Sequence, residues 1–328
     1  MSKEFEIIEQ VFRRRAGSSP NVTLGIGDDA ALTRLPVGSE LVTATDALVA
    51  GTHFLEDAPA RSIGHRCLAV NLSDIAAMGA EPLWASLALG LPRVDRTWLN
   101  DFADGFFALA EQAGVTLIGG DTVRGGLFAS LTLQGFVPAG QAVRRSGAAA
   151  GDLIYVTGHP GDASAGRLRL SDELAAVDTA DAADIAQAND LLVERFYYPM
   201  PRLAAGKGLR GLATAMIDIS DGLHIDLARL LEASGVGAEL DVAKIPLSAA
   251  LENTVKRPRA IELALCGGED YELCFTVAPD NIAGLHARAE NWDCALSCLG
   301  TVTAGPGLAW CQAGEPYGVP ESGFEHFI

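Results

Sequence analysis

At 328 residues the chain is long enough for about two domains of ordinary size. Its 49% hydrophobic and 20% charged residues exclude an intrinsically disordered chain. Asp and Glu number 42 against 24 Lys and Arg, a net charge of −18, which excludes the basic stripe of a nucleic-acid binder. Such a chain can hold an anionic ligand only if metal ions supply the missing positive charge.

The start, Met1-Ser-Lys-Glu-Phe-Glu6, carries acids where a secretory signal carries bases and an apolar run, so a soluble cytoplasmic protein with no membrane partner is expected. Apolar periodicity predicts a helix over 4–15, with Phe5, Ile8, Val11 and Phe12 on one face. Strands follow at 22–26 and 41–45, then a helix over 60–78 with Ile63, Cys67, Val70 and Ile75 inward. Next come a strand at 84–89, a helix over 97–112, and strands at 115–118 and 127–137. The uncharged run 125–143 is long enough to span a membrane, but Gly125, Gly126, Gly135, Pro138, Gly140 and its strand-like alternation exclude that.

The small residues of Arg145-Ser-Gly-Ala-Ala-Ala-Gly-Asp152 mark a boundary, giving domains 1–150 and 151–328. The second domain opens with a strand at 153–157 and a turn at Gly158-His-Pro-Gly161 leading into a helix. Helices at 182–196, 202–212, 222–234, 259–265 and 281–291 then alternate with strands at 213–217, 238–242, 271–277 and 294–299. The predicted fold class is therefore mixed α+β and α/β, in two lobes. The six cysteines contain no Cys-x-x-Cys pair and read as buried thiols in a reducing compartment, with a zinc site from Cys294, Cys298 and Cys311 as the alternative.

The aspartates do not scatter like solvated charge. Asp28 and Asp29 follow a strand through Gly27, Asp46 ends Leu41-Val-Thr-Ala-Thr45, and Asp74 sits in the apolar run Ala69-Val-Asn-Leu-Ser-Asp-Ile-Ala-Ala-Met78. Asp121 follows Ile118-Gly-Gly120, and Asp218 and Asp221 close the strand in Met216-Ile-Asp-Ile-Ser-Asp-Gly222. Ionised carboxylates in apolar surroundings need a partner, and bases are rare beside these motifs. Oxygen ligands completed by water and phosphate suit Mg²⁺, and helix capping stays the alternative for any single site such as Asp221.

Gly25-Ile-Gly-Asp-Asp-Ala30 formally fits a dinucleotide loop with Asp46 downstream, yet two aspartates inside it would repel a pyrophosphate. No Gly-x-x-x-x-Gly-Lys-Ser/Thr loop and no protein-kinase motif set is present. Phosphoryl transfer here needs another scaffold.

These motifs, with Thr45-Asp-Ala-Leu-Val-Ala-Gly-Thr-His-Phe54, Arg145-Ser-Gly147, Val156-Thr-Gly158, Gly267-Gly-Glu-Asp-Tyr-Glu-Leu273 and Gly323-Phe-Glu-His-Phe327, resemble the thiamine-monophosphate kinase family. That family lies within the wider aminoimidazole-ribonucleotide-synthetase superfamily, and the match runs in the family's order over nearly the whole chain. The resemblance implies ATP as co-substrate and thiamine monophosphate as acceptor, giving ADP and thiamine diphosphate by direct in-line transfer with several Mg²⁺ ions. It also implies two α/β lobes, with N-terminal strands that complete a barrel across a homodimer.

By motif position, Asp29, Thr45, Asp46, Asp74, Asp121, Asp218 and Asp221 look like magnesium ligands, some through water. Gly120, Asp121, Arg145 and Ser220 look like ATP contacts, and His53, Glu269 and Phe324 look like contacts to the thiamine substrate. Asp74, Asp121 and Arg145 are expected to be catalytic. Two superfamily relatives are disfavoured. Selenophosphate synthesis wants a reactive thiol or selenol near the N-terminus, and no cysteine precedes Cys67; the hydrogenase-maturation relative wants a terminal cysteine, and the tail reads His326-Phe-Ile328. A nucleotide- or metal-binding protein without turnover is the alternative from another class.

Overall fold

The structure, a computed structural model, describes residues 6–17, 19–174 and 182–320. The chain divides into two compact units, one of Met1–Ile75 and Ala80–Ala142, the other of Ala76–Gly79 and Val143–Ile328. Both mix helices with sheet. No helix among the described residues is long and apolar enough to cross a membrane.

The first unit opens with a helical segment that becomes a π-helical turn at Ile8–Arg13, where Val11 and Phe12 are buried. A small antiparallel hairpin of β1 (Val22–Leu24) and β2 (Leu32–Thr33) follows. The main sheet has β3 (Ser39–Val49), β4 (Glu81–Leu91), β5 (Thr116–Arg124) and β6 (Phe128–Pro138), in the order β3-β6-β4-β5. β6 pairs antiparallel with β3 and β4, while β4 and β5 run parallel because a helical crossover joins them. Along β6 every second residue (Ala129, Leu131, Leu133, Val137) is buried, and Ser130, Thr132, Gln134 and Phe136 between them are half-buried. This period of two is what made the segment legible as a strand, and it gives the sheet one covered face and one open face.

Helices α1 (Ala60–Ala77) and α2 (Arg96–Ala113) belong to this unit's core, although the last two residues of α1 belong to the second unit. α2 starts where the Asp95 carboxylate accepts from the backbone N–H groups of Thr97 and Trp98, and it ends at Gly114 with φ 71°. One stripe (Leu99, Phe102, Phe106, Leu109) is buried. α1 is buried on nearly every side, so its sequence shows no clean stripe. The helices meet backbone to backbone: a Cβ at Gly64 would lie 1.9 Å from the Phe102 carbonyl oxygen, and one at Gly105 would lie 1.8 Å from that of Arg61.

The second unit holds, among the described residues, a seven-stranded sheet. Its strands are β7 (Leu153–Thr157), β8 (Ala213–Ile219), β9 (Gly237–Asp241), β10 (Glu272–Val277), β11 (Leu296–Thr303), β12 (Gly307–Gln312) and β13 (Glu315–Pro316). Their order is β13-β12-β9-β11-β7-β10-β8. Ile154, Val156, Ile217, Ile219 and Cys274 face one apolar cluster, and Tyr155, Met216, Leu273, Phe275 and Val277 face another. A sheet covered on both faces explains why these strands read as unbroken apolar runs. The helices are α3 (Asp162–Leu170), α4 (Ala182–Tyr197), α5 (Leu203–Gly208), α6 (Leu223–Ser234), α7 (Ala249–Thr254), α8 (Arg257–Cys266) and α9 (Ile282–Ala289).

Several elements differ from expectation. β5 runs on through Gly119, Gly120 and Asp121 to Arg124, because β4 supplies a ladder partner where the glycines show no alternation. Asp46 and Asp218 lie inside their strands rather than just beyond them. The helix predicted over 202–212 stops at Gly208, where two glycines in three residues weaken it. α7, only six residues long and capped by Ser248, is too short to show a period.

Candidate active site

The expected site residues fall into two groups, one in each unit. In the first unit, β3 carries Asp46 and the last turn of α1 carries Asp74, and the two carboxyl groups lie within hydrogen-bonding reach of each other. Burial pushes the Asp46 carboxyl above the usual range, while the bond from Asp74 and the nearby His53 pull the other way. Cys67, two helical turns before Asp74, is buried; burial and then the Asp46 charge push its thiol up, so it is an inert thiol. Asn71 donates to the Cys67 carbonyl at 3.3 Å, and its Oδ1 is buried without a hydrogen-bond partner among the described residues. His53 sits in the turn after β3 with Nδ1 accepting the Val49 N–H at 3.1 Å, so the neutral ring carries its proton on Nε2.

Thr45 and Asp121 are not beside this pair. The ladder sets Thr45 opposite Thr132, their hydroxyls 3.0 Å apart on the open face. Asp121 lies in the row of Ala88 and Ser130, one row from that of Asp46, and is exposed. β3 and β5 are the two edges of the sheet, three strand spacings or roughly 14 Å apart. Gly120 is a steric requirement: at φ 148° it lies so close to β4 that a Cβ would sit 1.9 Å from the Leu87 carbonyl oxygen. Asp29 is exposed in the loop between β1 and β2, its N–H donating to Asp28 Oδ1 at 2.8 Å. That loop joins two strands of a hairpin and opens no helix, which removes the dinucleotide reading of Gly25–Ala30.

In the second unit Asp218, Ser220, Asp221 and Glu269 are neighbours. Asp218 is buried near the end of β8, beside Leu273 of β10. The loop from Gly267 to Tyr271 lies along the turn after β8. The Glu269 N–H donates to the Ser220 carbonyl at 2.8 Å, and the Tyr271 N–H donates to that of Ile219 at 2.9 Å. A Cβ on Gly268 would be 2.4 Å from the Ser220 carbonyl oxygen, so glycine is required here by a close approach to the protein's own backbone. Glu269 and Tyr271 take φ of 73° and 52°, a strained pair held by these contacts, and the Tyr271 hydroxyl donates to Glu269 Oε2 at 2.8 Å. Asp270 between them accepts the N–H groups of Gly161 and Ala163 at 2.7 and 3.2 Å, tying the loop to the start of α3.

Asp221 does not cap α6. The N-cap is Gly222, and the Asp221 carboxylate instead accepts from Arg229 at 2.5 Å. Arg145 is exposed on a segment moored to the same unit: the Arg144 carbonyl accepts from Met216, and Ser234 Oγ accepts from Gly147 and Ala148. Phe324 lies outside the described residues. Asn71, Tyr271, Asp226 and Arg229 adjoin the expected residues without being among them. An acid in the first turn of the helix after Ser220-Asp221-Gly222, with a base three residues later, is the signal that marks Asp226 and Arg229.

Among the described residues no three His, Cys, Asp or Glu side chains gather as a metal cage, and the six cysteines are free. That removes the zinc reading of Cys294, Cys298 and Cys311. Magnesium makes a smaller demand, one or two carboxylates with water and substrate phosphate completing its shell. The Asp46–Asp74 pair fits: two neighbouring carboxyl groups, Asp46 held above its usual range by burial, would gain a counter-charge from a cation of charge two, and a buried amide oxygen lies one turn away on α1.

The description "AIR synthase related protein, N-terminal domain" matches residues 27–137, and "AIR synthase related protein, C-terminal domain" matches residues 149–310. The chain is 46% identical over 325 residues to the thiamine-monophosphate kinase of Escherichia coli, covering 99% of this chain and 98% of that protein. The crystal structure of thiamine-monophosphate kinase from Stenotrophomonas maltophilia superposes with a TM-score of 0.85 at 43% identity, over 96% of this chain and 98% of that one. A further structure, AaThiL complexed with AMPPCP and TMP, gives a TM-score of 0.74 at 32% identity over 92% of each chain.

Proposed function

The chain belongs to the thiamine-monophosphate kinase family, built on paired AIR synthase related domains, and from that premise we propose how its residues serve the reaction. The activity is transfer of the terminal phosphoryl group of ATP to the phosphate of thiamine monophosphate, giving ADP and thiamine diphosphate. The acceptor, a phosphate monoester with a second pKa of about 6, is largely dianionic near neutral pH and needs no strong base. The obstacle is to bring anions together on a protein whose own charge is −18. Bound Mg²⁺ supplies the neutralising charge on the phosphate oxygens.

In this reading Asp46 and Asp74 would hold the cation, and the closeness of their two carboxyl groups, one on β3 and one on α1, is the observation that carries it. Asp29, Thr45, Asp121, Asp218 and Asp221 are further ligands, some through water. Gly120, Asp121, Arg145 and Ser220 contact ATP; the exposed charge of Arg145 supports this. Asp74, Asp121 and Arg145 act in the transfer step. His53 and Glu269 contact the thiamine substrate, with Phe324 assigned by motif alone. Domain 1–150 serves nucleotide, magnesium and dimerisation, and domain 151–328 contributes substrate contacts. A relative holding AMPPCP and TMP together supports direct in-line transfer without a phosphoenzyme. A cytoplasmic homodimer, with a barrel completed by the N-terminal strands of two copies, belongs to the same proposal.

The test is a coupled ADP-release assay with thiamine monophosphate and an aminoimidazole-pathway substrate side by side. Turnover with the first alone is expected. Asp74→Asn should lower the rate about 100-fold and raise the Mg²⁺ concentration for half-maximal rate. An unchanged metal requirement in that variant would remove Asp74 from the site.

A further inference from the structure

The turn Ser220-Asp221-Gly222 is held from inside the helix that follows it. Asp226, in the first turn of α6 and 1% exposed, places Oδ2 3.1 Å from the Ser220 N, 2.9 Å from the Asp221 N and 3.1 Å from the Gly222 N. Its Oδ1 accepts from Arg229 Nη1 at 2.8 Å, and the same nitrogen donates to Asp221 Oδ2 at 2.5 Å. Gly222 at the N-cap has no side chain to offer the helix start, so Asp226 supplies that acceptor from within the helix. Capping alone needs an oxygen for one or two N–H groups. Here one carboxylate oxygen takes three in succession, and a guanidinium then fixes the direction of a neighbouring carboxylate, which does nothing for the helix.

We propose that Asp226 and Arg229 are positioning residues for the magnesium-bound nucleotide. Asp226 shapes the backbone of the Ser220–Gly222 turn, and Arg229 fixes the orientation of the Asp221 carboxylate through Oδ2. The proposal rests on the assignment of Ser220 and Asp221 to nucleotide and metal. Without Arg229 the Asp221 and Asp226 carboxylates face each other with no cation between them, and Asp221 turns away.

Asp226→Ala removes the acceptor of three backbone N–H groups at once and tests folding as much as positioning, so the decisive variant is Arg229→Gln, whose wild-type side chain is 39% exposed. Calorimetric titration of the full-length protein with a β,γ-methylene analogue of ATP in the presence of Mg²⁺ should give a Kd about fivefold weaker. Arg229→Lys should recover part of that loss, and the KM for thiamine monophosphate should stay at the wild-type value. Asp221→Asn and Ser220→Ala are titrated alongside. If they weaken analogue binding while Arg229→Gln leaves it unchanged or tighter, the positioning role is overturned and the site assignment survives. If none of the three changes the Kd, the assignment of this turn to the nucleotide fails, and the proposal fails with it.

Discussion

Glu272 shows how a buried charge is tolerated in this chain. It is fully buried in β10, yet Arg202 donates to it through Nε at 2.6 Å, Arg195 through Nη2 at 2.7 Å and Thr157 through its hydroxyl at 2.7 Å. Burial works to raise its pKa, but the bonds and charges of Arg202 and Arg195 win and hold the carboxyl below its ordinary 4.5. A carboxyl whose folded pKa is depressed stabilises the fold above its unfolded pKa, and that stabilisation is lost as pH falls through the folded value. Glu272→Gln should therefore cost about 3 kcal/mol at neutral pH, because two guanidinium groups lose their counter-charge. The gap from wild type should close as the pH drops below 4.5, as read by chemical denaturation across that range. A gap of constant size down to pH 3 would show that shape rather than charge sets the cost. Glu272 was legible in the sequence only as one letter of Gly267-Gly-Glu-Asp-Tyr-Glu-Leu273, because its partners lie 70 to 115 residues away and nothing local names them. Asp46 and Asp74 were legible as acids in apolar runs, since the cost of burying charge is itself a signal.

At the scale of elements, what the sequence showed was periodicity, and what it concealed was contact. β6 and β7 were placed within a residue or so because the first alternates and the second is a short apolar run between turns. Periodicity ends β5 at Ile118 because Gly119 and Gly120 carry no side chains to alternate, although β4 passes close against Gly120. The crossing of α1 and α2 was equally silent, since a glycine in a helix reads as a weakness until the neighbouring backbone is seen. Gly105→Ala decides between the two effects. Better helix propensity favours alanine by about 1 kcal/mol. Against that stands a Cβ placed 1.8 Å from the Arg61 carbonyl oxygen, which forces two packed backbones apart. Overpacking costs about 1–3 kcal/mol where side chains yield, and a backbone yields less, so the net effect should be destabilising by about 2 kcal/mol. A raised melting temperature for Gly105→Ala would mean that the helices separate at little cost and that the close crossing does not support the core.

For the molecule as a whole, the feature of widest consequence is the four-stranded sheet with its two edges. Its edge strand β3 is eleven residues long, with Leu41 51% and Val49 41% exposed, and at the other edge Val123 of β5 is 43% exposed. A long edge with exposed apolar residues beside an open face invites pairing with another chain; β3 carries neither Lys nor Pro, and its two acids, Glu40 and Asp46, alternate out of register with Leu41 and Val49. This supports the proposed homodimer, in which two such sheets close on each other. Electrostatics opposes it, because each copy carries −18 and two copies repel. Association must then come from apolar burial and strand pairing, and it should tighten as salt screens the repulsion, the reverse of a dimer held by surface ion pairs. Sedimentation at micromolar concentration should give twice 34.2 kDa for wild type. Leu41→Glu combined with Val49→Glu should shift it to the single-chain mass without lowering the melting temperature of the monomer, since both side chains are exposed in the isolated chain. Wild type sedimenting as one chain at both low and high salt would refute the paired sheet. A double variant that stays dimeric would move the interface to another surface.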